Sequence, residues 1–220
     1  MSAIKRIAVA MVAAVCACPA QTFGGRADDK TVIWSPPEIG WLDNMPQATV
    51  PKEMIGALRV ANVPIVLEET NLTDAQKRFG GTIGSSGDAG ESLAWICLDG
   101  NDKDGTWILW LFSGEIDGPA IGGFQWMRLS ASERPDRRCS RLPKNKGGVE
   151  LPIALHLGMT EVEVQKVLGQ PTVTRDKTSF YDHEHKTVIR NEDCTVSNDV
   201  AIVFREGAVW AIEAAKTTGN

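Results

Sequence analysis

Two histidines, two positions apart, are the residues whose types and spacing best suit chemistry. His183 and His185 flank Glu184 in the second half of the chain. Successive side chains of a β-strand point to opposite faces, so a strand here would present both imidazoles on one face. With a third ligand, such a pair can hold a divalent metal ion. A polar strand face explains the pair without a metal, so we predict no metal site and keep a metal-dependent enzyme or hydrolase centred on His183 and His185 as the alternative function.

Two glycine-rich segments resemble ligand-binding loops but lack residues that the chemistry requires. Residues 80–90 have the glycines of a phosphate-binding loop, but a predicted helix precedes them and a predicted strand follows, the reverse of the P-loop order. Ser85 and Ser86 lack the nucleophile-elbow pattern and a histidine partner. Residues 99–105 have the composition of a calcium loop, but Trp110 stands where the distal Glu is needed. We therefore predict a non-enzymatic protein without a cofactor.

Tryptophans are concentrated in one part of the chain and indicate a protein-binding face. Three predicted strands, at 92–99, 106–113 and 121–129, carry four of the seven tryptophans. Alternation along the middle strand places Trp107 on one face and Trp110 on the other, so both faces are apolar. One short helix covers only one face, and the surplus marks either a contact with the rest of the chain or a partner site. The residues predicted to bind another protein are Trp95, Trp107, Trp110, Phe124 and Trp126.

The elements that position these residues recur along the chain. Residues 63–67 (VPIVL) match residues 151–155 (LPIAL). A predicted helix follows each copy, at 72–80 with Thr73 near its start and at 159–169 with Thr160 near its start, and each has early acidic residues and a terminal Gly. The strands predicted after the second helix lie at 177–187, 199–205 and 208–214, with a tight hairpin turn at 205–208 between the last two. This order predicts an α+β fold of two tandem modules, each a short helix packed on a small antiparallel sheet.

The N-terminus is typical of a secretory signal peptide. Lys5 and Arg6 precede an apolar run of eleven residues, and small residues allow cleavage after Ala20 or after Ala27. The run is too short for a transmembrane helix, which needs about 20 residues. The residues before Cys18 match a lipid-attachment motif poorly, so we expect no lipid anchor. We predict a periplasmic or secreted protein without an integral membrane segment.

The net negative charge of the chain argues against nucleic acids as partners. The full chain has a net charge of −5, and loss of residues 1–20 removes only two basic residues and no acid. A nucleic-acid binder needs surplus cations to neutralise phosphates, so none is expected as a partner. Residues 131–149 are basic, which suits either a solvated linker or a docking patch for an acidic or phosphate-bearing partner. The predicted organisation is a signal peptide (1–20), an extended lead-in (28–52), a first module (53–130), a basic linker (131–149) and a second module (150–216).

Three cysteines remain after the signal peptide, so at most one intramolecular disulfide forms. Cys97 lies in an apolar run and is predicted to be a buried strand residue, whereas Cys139 and Cys194 lie in polar connecting segments. We therefore predict a disulfide between Cys139 and Cys194. No Cys-x-x-Cys pair is present, which argues against a zinc ribbon or a thioredoxin-type site.

The second unit also resembles a known family. The motif LGMT at 157–160, the sequence VQKVLGQP at 164–171 and the segment FREGAV at 204–209 look like the BamE-like family of small outer-membrane lipoproteins. The tandem arrangement is similar to that of β-lactamase inhibitory proteins. The first unit lacks the Gly-Met before its Thr and the Pro after Gly80 and Gly81. The resemblance implies a helix-plus-sheet module that binds another protein, either in the envelope or as an inhibitor.

Overall fold

A computed structural model describes six stretches of the chain. They are residues 30–39, 55–88, 92–115, 117–143, 147–189 and 191–219. The predicted signal peptide, with both cleavage positions and Cys18, lies outside the described residues. So do much of the predicted lead-in and three residues of the predicted basic linker.

The described residues form two short helices and fourteen strands. The helices are α1 (Leu72–Phe79) and α2 (Glu161–Leu168). The strands are β1 (Thr31–Ile33), β2 (Ala57–Val60), β3 (Val63–Val66), β4 (Gly84–Ser86), β5 (Leu93–Asp102), β6 (Gly105–Gly114), β7 (Gly123–Arg128), β8 (Glu133–Pro135), β9 (Ser140–Arg141), β10 (Val149–Glu150), β11 (Val173–Arg175), β12 (Thr178–Ile189), β13 (Glu192–Arg205) and β14 (Ala208–Gly219).

Nine strands form one sheet, and this overturns the predicted fold class. The order is β11-β12-β13-β14-β7-β6-β5-β4, antiparallel throughout, with β9 added in parallel to β5. Two meanders, β4 to β7 and β11 to β14, are joined by the pairing of β7 with β14. The prediction of an α+β protein with two tandem helix-on-sheet modules is therefore wrong: the described residues are mostly β, and one large nine-stranded sheet runs through both predicted modules.

A shared core explains why separate modules do not form. A helix of eight residues is about 12 Å long, whereas a ten-residue strand is about 33 Å long, so neither helix covers half of the sheet. Both helices, the β2–β3 hairpin and β10 lie on one face, which we call the front face, and one hydrophobic cluster there unites residues of both halves. It includes Leu109 from the first meander and Ile202 from the second.

The β2–β3 hairpin region ties both halves together through polar contacts. The backbone amide and carbonyl of Ile55 bond the side chain of Asn198 in β13, at 2.8 and 3.1 Å. The Glu68 carboxylate accepts hydrogen bonds from the amide and hydroxyl of Thr218 in β14, while the Glu68 amide donates to the carbonyl of Ile121. The front layer therefore spans the junction between the meanders.

Helix starts follow local capping chemistry only in part. Thr160 caps α2 as expected, and Glu163 completes a capping box with it. In α1 the N-cap is Asn71, which makes no side-chain capping bond, and the predicted cap region at Thr73 lies inside the helix.

The opposite face of the first meander, which we call the back face, is covered by the chain itself. Residues 30–37, the N-terminal strap, pair β1 in parallel with β8. Trp34 packs against Trp95 with ring centroids 5.9 Å apart, and its carbonyl accepts a 2.8 Å bond from the indole N–H of Trp110. The surplus apolar surface predicted for these strands is therefore an internal contact.

The disulfide joins Cys97 to Cys139, so the predicted Cys139–Cys194 pairing is wrong. Pairing of β9 with β5 places Ser140 opposite Leu98. The residues just before these two, Cys139 and Cys97, therefore lie side by side on the back face. Cys194 lies in β13, in the other half of the sheet, and is not in a disulfide. Burial of Cys97 was predicted correctly, but the partner is brought to it by a two-residue strand.

A disulfide is compatible with an oxidising compartment outside the cytoplasm. Within the described residues, no helix is long and apolar enough to cross a membrane.

Replacing both Cys97 and Cys139 with Ala should lower the free energy of unfolding by about 2 to 4 kcal/mol, because the unfolded chain loses a loop constraint. Urea unfolding without reductant measures this. Cys194→Ala is the matched control and should leave the midpoint within error. A non-reducing digest that yields a peptide linking Cys139 to Cys194 would contradict the assignment.

Candidate functional site

The five aromatic residues predicted to bind a partner all lie in the interior. Trp95 and Trp110 lie under the N-terminal strap, and Trp107, Phe124 and Trp126 belong to the front-face core. The most exposed of them, Trp126, has 5% of its surface accessible. Among the described residues these side chains form core layers and offer almost no accessible surface.

The two histidines lie on one face of β12, as their spacing predicts. Their ring centroids are 5.4 Å apart, with His183 buried and His185 exposed. No group of three or more His, Cys, Asp or Glu residues in the described parts of the chain is arranged to hold a metal ion.

A cleft of about 540 Å³, which we call the back cleft, opens on the back face of the second meander. One wall is the segment that follows the N-terminal strap, and the other is the β11–β12 turn. The cross-strand pairs Thr178–Val203 and Val203–Ala211 place those three side chains on the face that lines it. The lining residues are Pro37, Glu38, Ile39, Gln125, Arg175, Asp176, Thr178, Phe180, Val203, Arg205, Trp210 and Ala211.

Gln125 is the most constrained polar group in the back cleft. The side chain is fully buried, and its Nε2 donates to the carbonyl of Pro37 at 2.9 Å and to the carboxylate of Glu213 at 2.6 Å. Two acceptors around Nε2 fix the orientation of the amide. Its Oε1 is a buried acceptor without a hydrogen-bond partner in the described structure. A donor from a bound molecule would satisfy this atom.

Arg205 and Trp210 form a stacked pair at one end of the back cleft, which we call the Arg–Trp ridge. The guanidinium carbon lies 3.3 Å from the indole ring centroid, with Arg205 exposed and Trp210 partly exposed. A second cleft of about 360 Å³ lies on the other side and is also lined by both residues. The ridge therefore stands between two depressions.

A tight turn and a β-bulge set the orientation of the Arg205 and Trp210 side chains. The tight turn predicted at 205–208 is present, with Glu206 and Gly207 at φ values of 53° and 80°. The β13–β14 register shifts between Val203 and Phe204, which leaves Trp210 as the extra residue of β14. Such a bulge redirects a side chain, and here it turns Trp210 to the back face beside the buried Ala211.

The carboxyl groups of two aspartates face each other on the back face of the second meander. Asp182 and Asp199 are cross-strand partners in β12 and β13. Burial, followed by the hydrogen bond and charge of Asp182, raises the pKa of Asp199 to about 6. Asp199 is therefore half protonated near pH 6.

Asp199→Asn should remove a pH-dependent loss of stability. Because its pKa is raised, Asp199 holds a proton in the folded state that the unfolded chain has released, so the free energy of unfolding falls as pH rises through about 6. The Asn variant stays neutral at every pH and should be the more stable protein at pH 8. Chemical unfolding at a series of pH values measures the difference. Asp193→Asn, an exposed change on the same strand, is the control; parallel curves for all three proteins would contradict the prediction.

No family model matches the sequence, and no curated protein or solved structure matches it significantly. The resemblance to the BamE-like family and to β-lactamase inhibitory proteins therefore stays a prediction.

Sequence reasoning missed the residues that the structure brings together here. Gln125 is a polar residue between two aromatic residues of a strand, a pattern that indicates no particular role. Trp210 follows a turn that the sequence did predict, but strict alternation cannot foresee a bulge. The usable signal was an Arg five residues before a Trp across a two-residue turn, which a hairpin brings together.

Proposed function

We propose that this protein is a secreted or envelope-associated, non-enzymatic module that binds another protein through the Arg–Trp ridge and the back cleft. The observation that carries the proposal is the stacked, accessible pair of Arg205 and Trp210 between two clefts. Trp and Arg are the residues most enriched at energetic centres of protein interfaces. Stacking holds the guanidinium in place and so reduces the entropy that Arg205 loses on binding.

The surroundings of the ridge suit a protein contact. The floor of the back cleft is apolar, with Phe180, Val203 and Ala211, and charged residues stand at its rim. An apolar centre inside a polar rim is the usual anatomy of an interface. The predicted signal peptide and the Cys97–Cys139 disulfide support a location outside the cytoplasm.

Trp210→Ala should weaken partner binding by at least about thirtyfold, the loss expected at an interface hot spot. Extracts of the envelope and medium are passed over immobilised wild-type and variant protein. For each protein whose capture requires Trp210, the affinity for the wild type and for the variant is then measured by calorimetry. Arg205→Ala, an exposed change, gives a second variant that leaves the core intact.

Val188→Ala is the control, because Val188 is 64% exposed at the far end of β12. It should bind like the wild type. Retention of every captured protein by both the Trp210 and Arg205 variants, with circular dichroism showing an intact fold, would reject the proposal.

A further inference from the structure

The unpartnered Oε1 of Gln125 specifies one property of whatever occupies the back cleft. The atom is buried, it accepts and cannot donate, and the amide cannot turn over because its Nε2 already serves Pro37 and Glu213. Gln125 lines the cleft, so an occupant that reaches Oε1 must bring an N–H or O–H donor to it. A peptide backbone offers such a donor at every residue except proline.

The distance between the Arg–Trp ridge and Gln125 favours an extended peptide over a small molecule as the occupant. Gln125 pairs with Glu213, which is three residues beyond Trp210 in β14. At 3.3 Å per residue, the Arg–Trp ridge and Gln125 are separated by about 10 Å along the strand. An occupant that meets both must span three or four residues of extended peptide, which a free amino acid cannot do.

The positive charges of Arg205 and Arg175 indicate which side chain of the occupant lies at the Arg–Trp ridge. The face of the Arg205 guanidinium is covered by Trp210, but its N–H groups lie in the plane of the group and remain able to form a bidentate pair with a carboxylate. Arg175 stands on the facing wall, and neither arginine forms an ion pair with another described residue. Glu38 and Asp176 also line the cleft and would repel a run of acidic residues. A single carboxylate at the ridge fits this arrangement.

We infer that the back cleft takes an extended segment of the partner protein in which an acidic side chain bonds Arg205, an apolar side chain lies on Phe180, Val203 and Ala211, and a backbone N–H about three residues from the acid donates to Gln125 Oε1. The inference rests on the proposed function and assigns the chemistry of its partner. In an extended chain, alternate residues share a face. The recognised pattern is therefore an acidic residue with an apolar residue within three positions.

A displayed library of random linear peptides, selected on the mature full-length protein, tests this pattern. The wild type should enrich peptides that carry an Asp or Glu and an apolar residue within three positions of it. Arg205→Glu should enrich Lys or Arg at the same position, because the charge of the anchoring group is reversed. Arg134→Glu is the matched control on β8, exposed and outside the cleft, and should select the wild-type pattern.

A synthetic peptide from the wild-type selection gives the second readout. Replacing its acidic residue with the amide should weaken binding to the wild type by at least about tenfold. In ¹⁵N spectra, the Gln125 side-chain amide should shift when the acidic peptide is added. An unshifted Gln125 signal, or a selected pattern that Arg205→Glu leaves unchanged, overturns the inference.

Failure of the inference is distinguishable from failure of the proposed function. A partner whose capture needs Trp210, together with a library that yields no acidic pattern, rejects the acidic-peptide chemistry and leaves the protein-binding function standing. Capture independent of both Trp210 and Arg205 rejects the function itself and the inference with it.

Discussion

The hydrogen-bonded pairing of β7 with β14 is the contact on which the rest of the structure depends. It runs from Gly123 opposite Ala215 to Met127 opposite Ala211 and turns two meanders into one sheet. Each meander alone would have an open edge at this position, with unpaired backbone groups and half of the front-face core exposed. The back cleft also spans this junction, since Gln125 comes from β7 and Trp210 from β14. The candidate site therefore cannot exist in either half alone.

The back cleft lies beside the layer that covers the back face of the first meander. The central strands are apolar on both faces, so each face needs its own cover. Helices and the β2–β3 hairpin cover the front face across both halves, whereas the N-terminal strap and the disulfide-linked segment cover the back face of the first meander. In the described part of the N-terminal segment, the carbonyl of Pro37 accepts a hydrogen bond from the Gln125 side chain, and the segment lines the cleft as far as Ile39. The back face of the second meander, at Val203 and Ala211, forms the floor of the cleft.

Local patterns predicted the elements better than their assembly. Strand β6 and the predicted strand 106–113 agree within a residue at each end, α1 was expected at 72–80, and the 205–208 turn has the expected geometry. Those features depend on alternation, capping and turn chemistry among neighbours in sequence. The β7–β14 pairing, the Cys97–Cys139 disulfide and the Trp210 bulge depend on contacts between distant residues, so the fold class, the cysteine pairing and the site were missed. The tryptophans were correctly recognised as surplus to one helix, but their cover is the chain itself.

Native-state hydrogen exchange of the β7 and β14 amides tests most directly whether the protein is one cooperative unit. The single-sheet account predicts that amides of the β7–β14 ladder and amides in the centres of β6 and β13 open with the same free energy, equal to that of global unfolding, and respond equally to urea. Exchange of the β7–β14 ladder at a distinctly lower free energy, with β6 and β13 protected to different extents, would show two separately folding halves and contradict the account.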